Sequence, residues 1–214
     1  YQCQYVGNPV ADSIRNWRRD AKSDEAKGKR IIAILPGSRK GEISKCLPTM
    51  LAAARKVAGN QYRIVVTAAP GIDDVFYQPY LQSEELTRDT YTLLDQAYAA
   101  VVNSGTATLE TALIRCPQTA VYHVAGSKCL EWLIKPILFK IKHFTLVNII
   151  SDKEVIQELV ASRFTEHNVE QELRRLLENE PYRMKMKAEY ESIWDTLGDQ
   201  HAAEGAARVI VSLE

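Results

Sequence analysis

The run Asn103-Ser104-Gly105-Thr106-Ala107-Thr108-Leu109-Glu110 sets a glycine and two hydroxyls just ahead of a segment with helical spacing. The free N–H groups of a helix's first turn, with a dipole worth about half a positive charge, attract phosphate. Gly105 lets the backbone approach an anion closely, while Ser104 and Thr106 offer hydroxyl donors. Glu110 falls one turn further in, where a carboxylate accepts hydrogen bonds from a ribose diol. The same residues also read as a plain helix cap, with Glu110 in water. A second candidate is Leu35-Pro36-Gly37-Ser38-Arg39-Lys40-Gly41-Glu42-Ile43. Gly37 permits a tight turn, and Arg39 carries forked donors that suit a diphosphate. It is not a Walker A loop, because no Gly-Lys-Ser/Thr follows four residues after a first glycine. Taken alone, it is equally a surface turn with a solvated Arg39-Lys40 pair.

Each candidate sits where an apolar run hands over to a helix. Arg30–Leu35 is a short apolar strand, followed by Ile43, Leu47, Met50, Leu51, Ala54 and Val57 at helical spacing. Tyr62–Ala68 is β-branched in its middle and ends at Pro70-Gly71, after which a helix is expected through Val75, Tyr80 and Leu81. A weaker strand is expected near Thr87–Leu93, a buried one at Ala99–Asn103, a helix over Ala107–Ile114 and a strand over Pro117–Tyr122. Short apolar strands alternating with helices predict an α/β fold, a Rossmann-like parallel sheet flanked by helices. From Asp152 onward only helices are expected, starting near Asp152, Glu166, Pro181 and Asp199. The boundaries drawn are a linker at 1–29, a nucleotide-binding domain at 30–160 and an all-helical extension at 161–214. Ligands of open α/β sheets bind at the carboxyl edge of the strands, so both loops face one crevice.

Bulk properties remove several classes of function. With Lys+Arg and Asp+Glu both at 27, the formal net charge is zero, so no bulk attraction to nucleic acid is expected. The four cysteines, Cys3, Cys46, Cys116 and Cys129, have no CxxC spacing, which argues against zinc, redox motifs and a disulfide framework. No apolar run approaches the roughly 20 residues that span a bilayer, and the first residues do not form a signal peptide. A cytoplasmic location is therefore expected, without metal or cofactor. Asp152 and Glu154 read as carboxylates at a helix start rather than as metal ligands or a base, and His123 and His143 as loop residues. The stretch Lys128–Lys142 interleaves large apolar residues with lysines. It reads either as a surface helix lying on anionic lipid or as a core or partner-packing helix broken at Pro136.

The ordered set Tyr5-Val6-Gly7-Asn8-Pro9, Leu35–Arg39 with Glu42-Ile43, Ser104–Glu110 and Leu146-Val147-Asn148 resembles the lipid-A-disaccharide synthase family. The resemblance runs from Tyr5 to about Leu159, and the tail fits more loosely. It departs at Asn8, where many members have His, and at Val147, where many have Pro. The resemblance implies a GT-B enzyme that transfers 2,3-diacylglucosamine from UDP to 2,3-diacylglucosamine 1-phosphate, releasing UDP. It implies that Gly37, Ser38, Arg39, Ser104, Gly105 and Thr106 meet the donor diphosphate, that Glu110 binds the ribose and that Asn148 lies beside the donor. The acceptor domain and its catalytic base are expected upstream of this chain, leaving the chain nearly inactive alone. The inner face of the inner membrane is a candidate surface for the acylated substrates. A second copy of the chain is a candidate cover for the tail's Ile193, Trp194 and Leu197. Two other readings stay open: half of a UDP-sugar 2-epimerase-like enzyme, and a nucleotide-binding module without chemistry.

Overall fold

A computed structural model of the chain describes residues 3–20, 30–103, 105–123 and 142–211. Its centre is a six-stranded, all-parallel sheet in the order β3-β2-β1-β4-β5-β6. The strands are β1 (Arg30–Leu35), β2 (Tyr62–Thr67), β3 (Glu85–Thr87), β4 (Ala97–Asn103), β5 (Gln118–Tyr122) and β6 (Glu158–Val160). Ile31 to Leu35 and Ala99 to Asn103 are buried in unbroken runs, because helices cover both faces of the central strands. The register pairs Ile32 with Ile64 and with Ala99, so that branched side chains sit beside small ones across the middle of the sheet.

The helices are α1 (Pro9–Asp20), α2 (Lys40–Ala58), α3 (Thr90–Gln96), α4 (Thr106–Leu113), α5 (Leu146–Ser151), α6 (Glu166–Glu178), α7 (Glu180–Leu197) and α8 (Ala202–Val211). α2 turns Ile43, Cys46, Leu47, Met50, Leu51 and Ala54 inward and packs against both the sheet and α6. Fully burying one such Leu or Ile contributes about 1.5–3 kcal/mol. α4 is held between β4, β5, α1, α5 and α7.

The last three helices are not a loose appendage. α6 lies on β4 and β5, and α7 lies on α4 and α5. Ile193 and Leu197 are buried within this same chain, so they need no second copy to cover them. Trp194 donates its ring N–H to the Leu113 carbonyl (3.1 Å), and the guanidinium groups of Arg15 and Arg18 lie 5.3 and 5.5 Å from its ring centre. Arg18 donates to the same carbonyl at 2.8 Å, which closes the C-terminal end of α4. α8 returns to α1, where a Cβ on Gly205 would stand 2.3 Å from the Val6 carbonyl oxygen. Only glycine permits that approach.

Three expectations change. The helix drawn through Val75, Tyr80 and Leu81 is a 3-10 turn at Asp74–Phe76 followed by irregular chain. Tertiary polar contacts override its spacing: the buried Tyr77 hydroxyl accepts from Ala69 N–H (2.8 Å), and Arg88 donates to the Ile72 carbonyl (2.9 Å) and to Asp74. The strand drawn at Thr87–Leu93 ends at Thr87, because Asp89 accepts from Thr92 N–H (3.1 Å) and caps α3. The helix drawn from Asp152 is absent. Asp152 instead ends α5 in the left-handed region (φ 47°), paired with Lys142 at 2.7 Å, and the exposed Glu154 leads toward β6. Of the Lys128–Lys142 segment, all but Lys142 lies outside the described residues, as do Cys129 and Ser104. Cys46 and Cys116 are buried free thiols, and Cys3 is an exposed one.

Candidate functional site

The strand order reverses direction between β1 and β4, and crevices of doubly wound sheets open at that switch point. The loops that leave these two strands are the two candidate motifs. They line one cleft of about 390 Å³ with Gly37, Ser38 and Arg39 on one wall and Gly105, Thr106, Ala107 and Glu110 on the other. The ends of β2 (Thr67–Pro70) and of the α3 approach (Thr90) extend it sideways.

The first wall is built around Gly37, whose φ of 115° belongs to glycine. A Cβ there would meet Asn103 Nδ2 at 2.7 Å and Glu42 Oε2 at 2.9 Å. Both side chains lie over the glycine because both fasten the loop. The buried Asn103 donates to the Pro36 carbonyl at 2.9 Å. Glu42 accepts from Ser38 N–H (3.2 Å) and from Arg39 Nη1 (2.6 Å), a reach-back from the first turn of α2 that resembles half of a capping box. Burial pushes the Glu42 carboxyl up, but the hydrogen bonds from Arg39 and Ser38 and the charge of Arg39 outweigh it, and the group is held below the usual range. Arg39 itself remains largely exposed and extends from the backbone position that caps α2.

The second wall is the start of α4. Gly105 occupies the cap position with φ 106°, and Thr108 folds its hydroxyl back onto the Gly105 carbonyl at 2.9 Å. Thr106 and Ala107, whose N–H groups open the helix, line the cleft. One turn in, Glu110 is half-buried and accepts from the Tyr91 hydroxyl at 3.0 Å. Burial raises the Glu110 carboxyl, and the Tyr91 hydrogen bond only partly offsets it. Burial and the neighbouring carboxylate together push the Tyr91 phenol up to about 12.

Asn148 is placed elsewhere. It is fully buried in α5, outside the cleft's lining, with its amide committed to the chain that enters β6. Its Oδ1 accepts from Val155 N–H (2.8 Å) and Ile156 N–H (3.0 Å), and its Nδ2 donates to the Ile156 carbonyl (2.9 Å). The residues that the sequence reading missed are Tyr91, Asn103 and Glu42 in these fastening roles. Asn103 carried a faint signal, a polar residue closing a buried strand; Tyr91 carried none. Among the described residues no group of three His, Cys, Asp or Glu is placed to hold a metal ion. No described helix is long and apolar enough to cross a membrane.

A parallel sheet in this order, with a helix start and an arginine loop facing each other at its switch point, has the fold of one half of a GT-B glycosyltransferase. Solved structures share that fold at low identity. MnaA of S. aureus, in a co-structure with UDP, superposes with a TM-score of 0.60 at 15% identity over 93% of this chain and 51% of its own. The calicheamicin glycosyltransferase CalG4 gives 0.57 at 14% identity, over 91% and 44%. In sequence, the lipid-A-disaccharide synthase of Syntrophus aciditrophicus is 32% identical over 98% of this chain and 57% of its own length. The model of the lipid-A-disaccharide synthetase family matches residues 1–210, and the chain belongs to that family. It spans about half the length of the curated relatives it matches.

Proposed function

We propose that this chain is the donor-binding half of a hexosyltransferase of lipid A biosynthesis. The enzyme would move 2,3-diacylglucosamine from UDP to 2,3-diacylglucosamine 1-phosphate and form the β-1,6-linked disaccharide. The observation that carries this reading is the meeting of the Arg39 loop and the α4 N-terminus across one cleft, with Glu110 one turn away. The diphosphate sits against the opening N–H groups of α4, Gly105 and the Thr106 hydroxyl. Arg39 leaves Glu42 to pair with the phosphates, and the Glu110 carboxylate takes the ribose hydroxyls. As the glycosidic bond breaks, negative charge grows on the departing diphosphate, and fixed donors aimed at that charge lower the barrier. The base that deprotonates the acceptor hydroxyl belongs to the other half of the fold. This chain alone therefore binds donor and transfers slowly or not at all. The acyl chains of both substrates place the reaction at a lipid surface, the inner face of the inner membrane.

Calorimetric titration with UDP tests the assignment. Arg39→Ala and Glu110→Ala should each weaken binding by roughly tenfold or more, since hydrogen bonds to charged groups contribute about 1.5–3 kcal/mol. UDP binding that is unchanged in both variants would remove the nucleotide from this cleft.

A further inference from the structure

Glu110 lines the cleft from α4, and among the described residues one side chain hydrogen-bonds it, that of Tyr91 at 3.0 Å. Tyr91 belongs to α3, whose first residue, Thr90, lines the cleft while Tyr91 itself does not. The phenol therefore holds the carboxylate from outside the cleft, and it takes Oε1 alone. An ionised carboxylate offers about four lone-pair sites, so Oε2 and part of Oε1 stay open to a ligand.

Tyr91 is in turn backed by α1. The Trp17 ring meets it edge-on, with centroids 5.8 Å apart and planes at 71°, the T-shaped arrangement that aromatic pairs favour. Both rings are half-buried and pack against the core. The next residue of α1, Arg18, ties that helix to the Leu113 carbonyl at the far end of α4. Contacts thus run from α1 to α3 to α4 and back to α1, with the Glu110 carboxylate among them. We propose that Tyr91 is a positioning residue for the nucleotide: it fixes the Glu110 carboxylate for the ribose hydroxyls, and Trp17 of α1 fixes Tyr91. The proposal rests on the nucleotide reading above, in which Glu110 takes the ribose.

Two physical needs meet in this contact. A glutamate side chain is long, and the rotamer freedom it loses when a ligand orders it is subtracted from the affinity. A carboxylate anchored through Oε1 has lost part of that freedom before the ligand arrives. The second need is charge. Burial disfavours the ionised Glu110, and the Tyr91 hydrogen bond favours it. The phenol itself, pushed up to about 12, stays a donor at neutral pH. Phenylalanine at position 91 keeps the ring that packs on Trp17 and removes the donor alone, so it separates the hydrogen bond from the packing.

The test compares UDP with 2′,3′-dideoxy-UDP, which carries no ribose hydroxyl, by titration calorimetry on the 214-residue chain. The parent should prefer UDP. Tyr91→Phe and Trp17→Leu should each lower UDP affinity by about threefold or more, as a hydrogen bond to a charged group weakens, while dideoxy-UDP affinity moves by less than about twofold. In a Glu110→Ala chain, adding Tyr91→Phe should change UDP affinity by less than about twofold, because Tyr91 acts through the carboxylate. A preference for UDP that survives Tyr91→Phe intact overturns the positioning role and leaves Glu110 at the ribose. Equal losses for the two nucleotides overturn it as well, since they report general damage to the cleft wall. A full further loss in the Glu110→Ala chain overturns it by showing that Tyr91 acts on the ligand directly. A Trp17→Leu chain that binds UDP like the parent overturns the part given to α1. A parent that binds both nucleotides equally, or neither, overturns the nucleotide reading and the positioning role together.

Discussion

Replacing Gly37 with alanine probes the hinge of the cleft's first wall, and its effect can be worked out from the geometry. Two penalties add. An L-residue held at φ 115° sits in a sparsely populated region, which costs on the order of 1–3 kcal/mol. The new methyl would also stand 2.7 Å from Asn103 Nδ2 and 2.9 Å from Glu42 Oε2, so both side chains must withdraw. Withdrawal breaks the buried bond from Asn103 to the Pro36 carbonyl and loosens the Ser38 N–H to Glu42 contact, at about 0.5–1.5 kcal/mol each. The total is about 2–6 kcal/mol, which for a domain of this size lowers Tm by roughly 4–24 °C. Gly71→Ala isolates the backbone part, because Gly71 also has positive φ (76°) yet nothing lies within 4 Å of its Cβ position. Thermal unfolding followed by circular dichroism should rank parent above Gly71→Ala above Gly37→Ala. In parallel, UDP affinity should fall in Gly37→Ala alone. A Gly37→Ala chain as stable as Gly71→Ala, or one that binds UDP like the parent, would refute the idea that Asn103 and Glu42 clamp this loop.

Other expectations are checked more briefly. Asn148→Ala strands the buried Ile156 N–H, while Val155 N–H keeps its bond to the Lys153 carbonyl, and should cost about 1–3 kcal/mol in denaturant unfolding; loss of UDP affinity with unchanged stability would return Asn148 to the donor site. Glu84, buried against Arg55 at 2.6 Å, is pushed up by burial but pulled further down, to about 2, by hydrogen bonds from Arg55 and backbone N–H groups and by the Arg55 charge. Its folded value lies below its unfolded one, so the stability it contributes is present above about pH 4.5 and is lost as pH falls toward 2. Glu84→Gln should remove about 2 kcal/mol of that acid dependence, allowing for solvent screening, and a pH–stability profile identical to the parent's would contradict it. Glu110 has the opposite sign: its raised value means that ionising it works against the fold as pH climbs past the ordinary carboxyl range, while ribose binding needs the ionised form. UDP affinity should therefore fall on acidification at a higher pH than an ordinary Glu would give, and Glu110→Gln should remove that dependence from the titration.

What could be read from the chain alone followed from how much information each feature keeps local. β1 and β4 announce themselves because a strand buried on both faces must be largely apolar, and each meets a glycine turn at its carboxyl end, while β2 shows a β-branched centre ahead of Pro70-Gly71 and β5 a short apolar one. The two edge strands, Glu85–Thr87 and Glu158–Val160, are three residues long. They exist because a neighbour offers a free row of backbone groups, and nothing in their own composition states that. Asp89 is the exception among the misread stretches. Its capping bond to Thr92 is a local signal that could have turned the strand drawn across it into α3. The site divides in the same way. Gly37, Arg39, Gly105, Thr106 and Glu110 are each set by the loop or helix start they occupy, and sheet topology alone then brings them to one edge. The groups that hold them are reached through space. Asn103 bonds a carbonyl 67 positions away, and Tyr91 bonds a carboxylate 19 positions away. Asn148 shows the converse hazard. Its three amide bonds join it to the chain entering β6, where a strand's unpaired backbone needs a side chain to complete it, a holding role that its place in the motif does not announce. A motif therefore reports that a residue is required, and only the geometry separates the groups that touch a ligand from those that hold the wall in place.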